Sequence, residues 1–342
     1  MVTPPSQVRI GIAGLGRMGR RHAENLARSV PGAALVAACS PDAEERAWAE
    51  RELGVAKTFE DYATMLAAPG IDAIFLVTPT TLHAQQIIDA LHAGKHVFSE
   101  KPLSLDLDEC RRVEAEAARF PDLEVMIGFV RRFDASYCDA HDRIVQGGIG
   151  RPFLVRSQTL DKYDPSGFFV RFSATSGGIF LDMSVHDIDC ARWLLGNPAP
   201  VRTYATGTVA VHEELYQWGD VDNGVAICEF EGGRIAIFCA SRTMAHGFEA
   251  TTEVIGTRGR LTVGGNPRIN RVELADGQGV RNACTPTFYE RFEDAFLRED
   301  RAFVDTIRSS APSPLRLHDA TEATRIGIAL RESLSTKRVV EL

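Results

Sequence analysis

At 342 residues the chain exceeds what one compact core accommodates and suits two domains. Its make-up, 44% apolar and 25% charged with a net charge of −8, is that of a globular protein and offers no basic footprint for nucleic acid or an anionic membrane. No apolar run has the length of a membrane span, and the seven cysteines, an odd number without a CxxC pair, fit reduced thiols in a cytoplasmic protein rather than a disulfide framework or a zinc ribbon.

Residues 1–7 lack the basic and apolar regions of a signal peptide and read as a short frayed tail. From there to about residue 130 the pattern alternates. Short runs rich in Val, Ile, Leu and Ala at 8–13, 34–39, 73–77, 96–99 and 124–127 read as strands buried on both faces. Helical stretches at 17–28, 42–53, 81–93 and 106–119 lie between them. This alternation predicts an α/β domain over 1–130 with a parallel, doubly wound sheet. A second domain over 131–342 is expected to be α+β. Its helix at 133–146 and turn at 147–150 lead to a strand at 153–159 and a helix at 179–195. Strand-like runs at 202–211, 224–230, 235–240, 251–255, 260–263 and 271–274, parted by turns such as Asn223-Gly224 and Asp276-Gly277, predict an antiparallel meander. Helices at 289–309 and 319–335 close the chain, and the last could pack on either domain.

The first strand runs straight into Gly14-x-Gly16-x-x-Gly19 and a helix, the arrangement of a dinucleotide turn. Gly14 permits the turn, Gly16 the approach of a pyrophosphate, and Gly19 the close packing of helix on strand. Arg17 and Met18 begin the helix whose N–H groups would face the phosphates. About 20 residues further on, where an acidic residue would read the ribose, the chain has Ser40, with Asp42 two places later. Asp42 as a ribose acceptor favours NAD, whereas Ser40 with Arg46 nearby would admit the extra phosphate of NADP; NAD is the preferred expectation. Thr78, Pro79 and His83 follow the strand at 73–77, and Glu100-Lys101-Pro102 follows the strand at 96–99. Ligands of open α/β sheets bind at such strand ends, although a single Lys or His there reads equally well as a surface residue. In the second domain Asp182 and His186 are four apart, so on a helix they share a face, and a carboxylate beside an imidazole can orient it as a base. Asp189 and Cys190 lie close to them, but no second cluster completes a tetrahedral set, so no metal is expected.

Taken with the segment from Gly128 to Asp134, which contains Arg131 and Arg132, these motifs resemble the Gfo/Idh/MocA oxidoreductase family and its inositol 2-dehydrogenase branch over essentially the whole chain. The resemblance implies a Rossmann domain followed by a domain with a large, open, mostly antiparallel sheet, often used in assembling a homo-oligomer, a tetramer or dimer. It implies NAD(P)-dependent oxidation of a polyol, with His186 as general base, Asp182 assisting it and Lys101 on the reacting hydroxyl. Arg131 would border the polyol pocket, His246 stands where the family often has a substrate-facing tyrosine, and Asp161 and Asp164 are within reach of a polyol or are turn residues. Two other activities stay open: oxidation of an aldose or a related sugar reaction on the same fold, and non-catalytic nucleotide sensing.

Overall fold

The computed structural model describes residues 7–265, 268–309 and 312–342, so the tail expected over 1–7 lies, but for Gln7, outside the described residues. By contacts the chain forms two compact units, one of Met1–Val130 with Asp294–Thr321 and one of Arg131–Glu293 with Glu322–Leu342. The sequence predicts a single boundary at 130, and the first unit also takes in 294–321. Among the described residues no helix is long and apolar enough to cross a membrane.

The first unit alternates β1 (Val8–Ala13), α1 (Arg17–Arg28), β2 (Ala33–Cys39), α2 (Ala43–Leu53), β3 (Lys57–Phe59), α3 (Tyr62–Ala67), β4 (Ala73–Leu76), α4 (Thr80–His92), β5 (His96–Glu100), α5 (Leu107–Ala117) and β6 (Val125–Gly128). Its sheet runs β3-β2-β1-β4-β5-β6 with every neighbouring pair parallel. The sheet therefore reverses its winding between β1 and β4, the switch point where doubly wound folds bind ligands. Ile10, Ile12 and all four residues of β4 are fully buried, as both-face coverage requires. Phe75 and Phe98, partners across β4 and β5, stack at 4.5 Å, and Phe303 packs edge-on against both. The sequence reading lacks β3 and α3, which at three and six residues are too short to carry a period.

The second unit contains α6 (Ala135–Val145), β7 (Pro152–Lys162), α7 (Phe168–Ser176), α8 (Ile179–Asp182), α9 (Val185–Leu194), β8 (Pro200–Thr208), β9 (Asn223–Phe230), β10 (Arg234–Met244), β11 (Glu249–Gly256), β12 (Gly259–Val263), β13 (Arg268–Asp276) and β14 (Gly279–Cys284). The helical segment α10 (Phe288–Ser309) is broken at Phe292 (φ −119°, ψ 16°), and α11 (Leu317–Thr336) and β15 (Val340–Glu341) end the chain. The large sheet runs β12-β11-β7-β10-β9-β8-β15. It is mostly antiparallel, but not the pure meander expected: β10 lies parallel to β7. The chain leaves the sheet after β7 for three helices, so its return builds β8, β9 and β10 as hairpins that close against β7 in the same direction. The alternation along β9 buries Gly224, Ala226, Cys228 and Phe230 and turns Val225 and Ile227 outward.

A second departure concerns the helix expected over 179–195, which is two helices. Ser184 N–H donates to the Ile179 carbonyl, five residues back, at 3.0 Å, and this bond interrupts the α-helical ladder. Of α9, all but His186 and Trp193 are buried, including Asp187, Asp189 and Arg192. Such a helix is stable only if its charges are answered. Arg131 donates to Asp187 at 2.6 Å and to Thr159, while Ser157 and Thr159 hydroxyls also donate to Asp187. Arg132 makes a two-pronged pair with Asp189 at 2.6 and 2.9 Å. The Asp187→Ala variant would leave a buried guanidinium without its carboxylate. It is expected to lose about 3–5 kcal/mol in urea unfolding, whereas Asp139→Ala, at an exposed pair with Arg143, should stay within about 0.5 kcal/mol of wild type.

Candidate active site

The glycine turn is built as its sequence demands. Gly14 has φ +91°, and a Cβ there would lie 2.3 Å from the Val77 carbonyl oxygen; a Cβ on Gly19 would lie 1.9 Å from the Gly14 oxygen. At Gly16 a Cβ would meet nothing within 4 Å, so the space over the turn is open. No side chain caps α1 at Gly16, and its first turn, with Arg17, Met18 and Gly19, holds no acidic residue. A helix start with no side-chain cap at Gly16, an open approach and no acidic residue in its first turn fits a pyrophosphate.

At the end of β2 the expected ribose readers have structural duties. Ser40 is 2% exposed and donates to Glu45 at 2.6 Å. Asp42 is the exposed N-cap of α2, accepting from the Glu44 and Glu45 N–H groups. Arg46 donates to the Ser40 carbonyl at 2.7 Å.

Beyond β4, the Thr78 hydroxyl donates to Gln86 at 2.6 Å and Pro79 caps α4. His83, expected to border the cofactor, is 1% exposed. Its ring nitrogens lie 2.9 Å from the Pro102 carbonyl and 2.8 Å from the Thr78 carbonyl, tying the loop after β4 to the loop after β5. Burial lowers its pKa despite the two acceptors, and a neutral ring donates to one of them. Glu100 is buried at the end of β5, and its side chain accepts from the Lys101 N–H at 3.1 Å and faces His22 of α1 at 3.0 Å. Burial opposes ionisation of Glu100, yet the hydrogen bond and charge of His22 and the charge of Lys101 outweigh it and hold the carboxyl below its usual range. Lys101 is half-buried.

In the second unit Asp182 ends α8 and His186 lies in the first turn of α9, half-buried, so the two do not share one continuous helix. The Asp182 carboxylate is paired with Arg242 of β10, whose guanidinium lies 4.2 Å from the Phe169 ring centre. Arg131, expected at a pocket rim, is 2% exposed and bound to Asp187, the neighbour of His186; it braces the helix from beneath. Asp161 belongs to β7 rather than to the loop after it, and Asp164 caps the following turn by accepting from Ser166 N–H at 2.8 Å. His246 lies on the β10–β11 connection, exposed and 3.6 Å from Glu249.

Residues 8–129 match the model of an oxidoreductase family described as having an NAD-binding Rossmann fold, and residues 137–262 match the Gfo/Idh/MocA C-terminal domain. The chain belongs to the Gfo/Idh/MocA oxidoreductase family. Among similar family members, the scyllo-inositol 2-dehydrogenase (NAD(+)) of Bacillus subtilis is 38% identical over 98% of this chain and 96% of its own. The myo-inositol 2-dehydrogenase of Thermotoga maritima is 35% identical over 98% of each. A crystal structure of scyllo-inositol dehydrogenase from Lactobacillus casei with bound NAD(H) and scyllo-inositol superposes with a TM-score of 0.94 at 39% identity, covering 98% of this chain and 99% of that one.

Sequence reasoning missed Arg242 as the partner of Asp182 and His22 as the partner of Glu100. Residues 60 and 78 apart carry no local signal of their pairing. The glycine geometry separates two effects experimentally. Gly16→Ala is expected to keep its melting temperature and lose about tenfold in NAD affinity by calorimetry, ~1.4 kcal/mol. Gly19→Ala, which drives a methyl into the Gly14 carbonyl, is expected to lose thermal stability as well.

Proposed function

We propose that this protein oxidises one secondary hydroxyl of a cyclic polyol of the inositol class to the corresponding ketone, an inosose, with NAD as oxidant. One observation carries the reading: a chain similar from end to end to inositol 2-dehydrogenases also keeps the open glycine turn together with Lys101, Asp182 and His186. Bound nicotinamide supplies the acceptor for the hydride of the carbinol carbon. The chain's own residues handle the proton. His186 takes it from the hydroxyl as general base, and Asp182, fixed by Arg242, stabilises the charge that develops on the imidazole. Lys101 donates a hydrogen bond to the reacting oxygen. Asp161 and His246 are assigned to the outer hydroxyls, and Arg131 is reassigned to bracing α9. The carboxylates of Asp42 and Glu45 beside Ser40 would repel a 2′-phosphate, and Arg46 is engaged by a backbone carbonyl, which supports NAD over NADP.

We also assign the protein to the cytoplasm and to a homo-oligomer, a tetramer or dimer. All seven cysteines are free, which supports a reducing compartment. The outward face of the large sheet exposes Tyr204, Val225, Ile227 and Ile235 on adjacent strands, an apolar area that a second copy would cover.

With a panel of inositols and aldoses and either cofactor, reduced-nicotinamide absorbance is expected to rise with a cyclic polyol and NAD. Absence of turnover with every cyclic polyol would contradict the assignment. His186→Ala is expected to lower kcat by roughly 10²–10⁴-fold, whereas a nucleotide sensor would bind NAD without turnover and be indifferent to that change. For the assembly, Ile227→Lys should shift the mass in light scattering to a smaller species; an unchanged mass would contradict the use of this face.

A further inference from the structure

The first unit holds a cluster of buried ionisable groups to which the reaction above gives no part. His22 has Nδ1 2.8 Å from an oxygen of Asp300 and Nε2 3.0 Å from an oxygen of Glu100, with its side chain fully buried. Asn25 donates to the other Asp300 oxygen at 2.9 Å. Glu299 and Asp300 are both 0% exposed. Ligand atoms of His22, Glu100 and Glu299 lie within 4.8 Å of one another, and neither Glu299 oxygen has a hydrogen-bond partner among the described residues. Around the imidazole pack the rings of Phe75, Phe98 and Phe296, at 6.0, 5.4 and 5.9 Å.

Charge counting decides which of these groups ionise. Three carboxylates and one imidazole walled by phenylalanines cannot all take their usual states, because an unpaired buried charge is strongly disfavoured. Both His22 nitrogens face carboxyl oxygens, and where both carboxyls are ionised, and so can only accept, a ring that donates twice satisfies them together. Glu100 has the Lys101 ammonium as a second neighbouring cation. Among the described residues Glu299 makes no hydrogen bond, and the His22 charge it feels is shared with Glu100 and Asp300.

We propose that His22 is an imidazolium clamped between ionised Asp300 and Glu100, that Glu299 is a neutral carboxylic acid, and that this cluster positions Lys101 by holding Glu100 charged beneath it. The proposal rests on the reading of Lys101 given above. Glu100 accepts the Lys101 N–H, so an ionised Glu100 both orients the peptide that carries the lysine and supplies its counter-charge. The electrostatics agree in direction. Burial alone would lower His22, but Asp300 and Glu100 raise it well above its ordinary value. Burial, followed by the charges of Glu100 and Asp300, pushes Glu299 well up against the opposing effect of His22. Among the described residues, the ionisable groups facing the cluster are Glu100 and Lys101 from the end of β5, Glu299 and Asp300 from α10, and His83 from α4, which feels Glu100 and Lys101.

Nitrogen NMR of protein labelled at histidine reads the charge directly, with His22→Gln assigning the resonances. Both His22 nitrogens are expected to be protonated at neutral pH, in keeping with a folded-state value raised well above the usual one by Asp300 and Glu100. A neutral imidazole at pH near 7 overturns the proposal, as does a stoichiometric divalent metal in the purified protein. Glu299→Gln exchanges neutral for neutral and should leave these resonances in place; a shift would show that Glu299 is ionised. The positioning role is read separately by kinetics. His22→Gln, which lets Glu100 take up a proton, should lower kcat about 10- to 100-fold near neutral pH with NAD affinity within about threefold. Adding Asp300→Asn removes the unanswered carboxylate and should regain about tenfold; a double variant no better than the single one contradicts the role. Because the resonances are read without turnover, failure of the charged cluster and failure of the polyol assignment give different results.

Discussion

The segment Glu100-Lys101-Pro102 is the point on which the account turns, because a lysine on a loose strand end cannot hold its ammonium against a reacting atom. Two buried imidazoles remove that freedom. His22 lies against the Glu100 side chain from α1, the helix of the glycine turn, and His83 of α4 lies between the Pro102 and Thr78 carbonyls. The loop after β5 is thus tied to both helices that flank the switch point of the sheet. Ordering entropy is lost once, on folding, rather than at each turnover.

The same division of labour recurs in the second unit. Asp182 is held by Arg242, and the helix that bears His186 is anchored through Asp187 and Asp189 to consecutive arginines at 131 and 132. Asp182, Asp187 and Asp189 each bond to an arginine of the protein. The latter two pairs fix the helix on which His186 is one of the two residues that are not buried. A buried ion pair of this kind adds little net stability, yet losing one partner costs far more than the pair contributes.

How much of this the sequence displays follows from range. Strands buried on both faces announce themselves as short apolar runs, and the glycine spacing states its own geometry, so the parallel sheet and the dinucleotide turn were legible. Interactions across long separations were not: His22 meets Asp300 278 residues away. The family resemblance put Arg131 at the polyol pocket, and nothing local in the sequence signals the buried Asp187 that it meets 56 residues away. Spacing alone placed Asp182 and His186 on one helix, because the five-residue bond at Ser184 depends on packing rather than on a Gly or Pro in the sequence. The parallel pairing of β7 and β10 escaped for a related reason, since hairpin signals report neighbours in sequence and not the strand that the last hairpin closes against.

The central claim, that a carbinol hydride leaves the substrate for the nicotinamide, is tested most directly by isotope transfer. With an inositol deuterated at the reacting carbon, the account predicts deuterium in the reduced nicotinamide, on one face of the ring, and a slower turnover of the deuterated substrate. Deuterium released to solvent, or retained in a product formed without reduced nicotinamide, would contradict it.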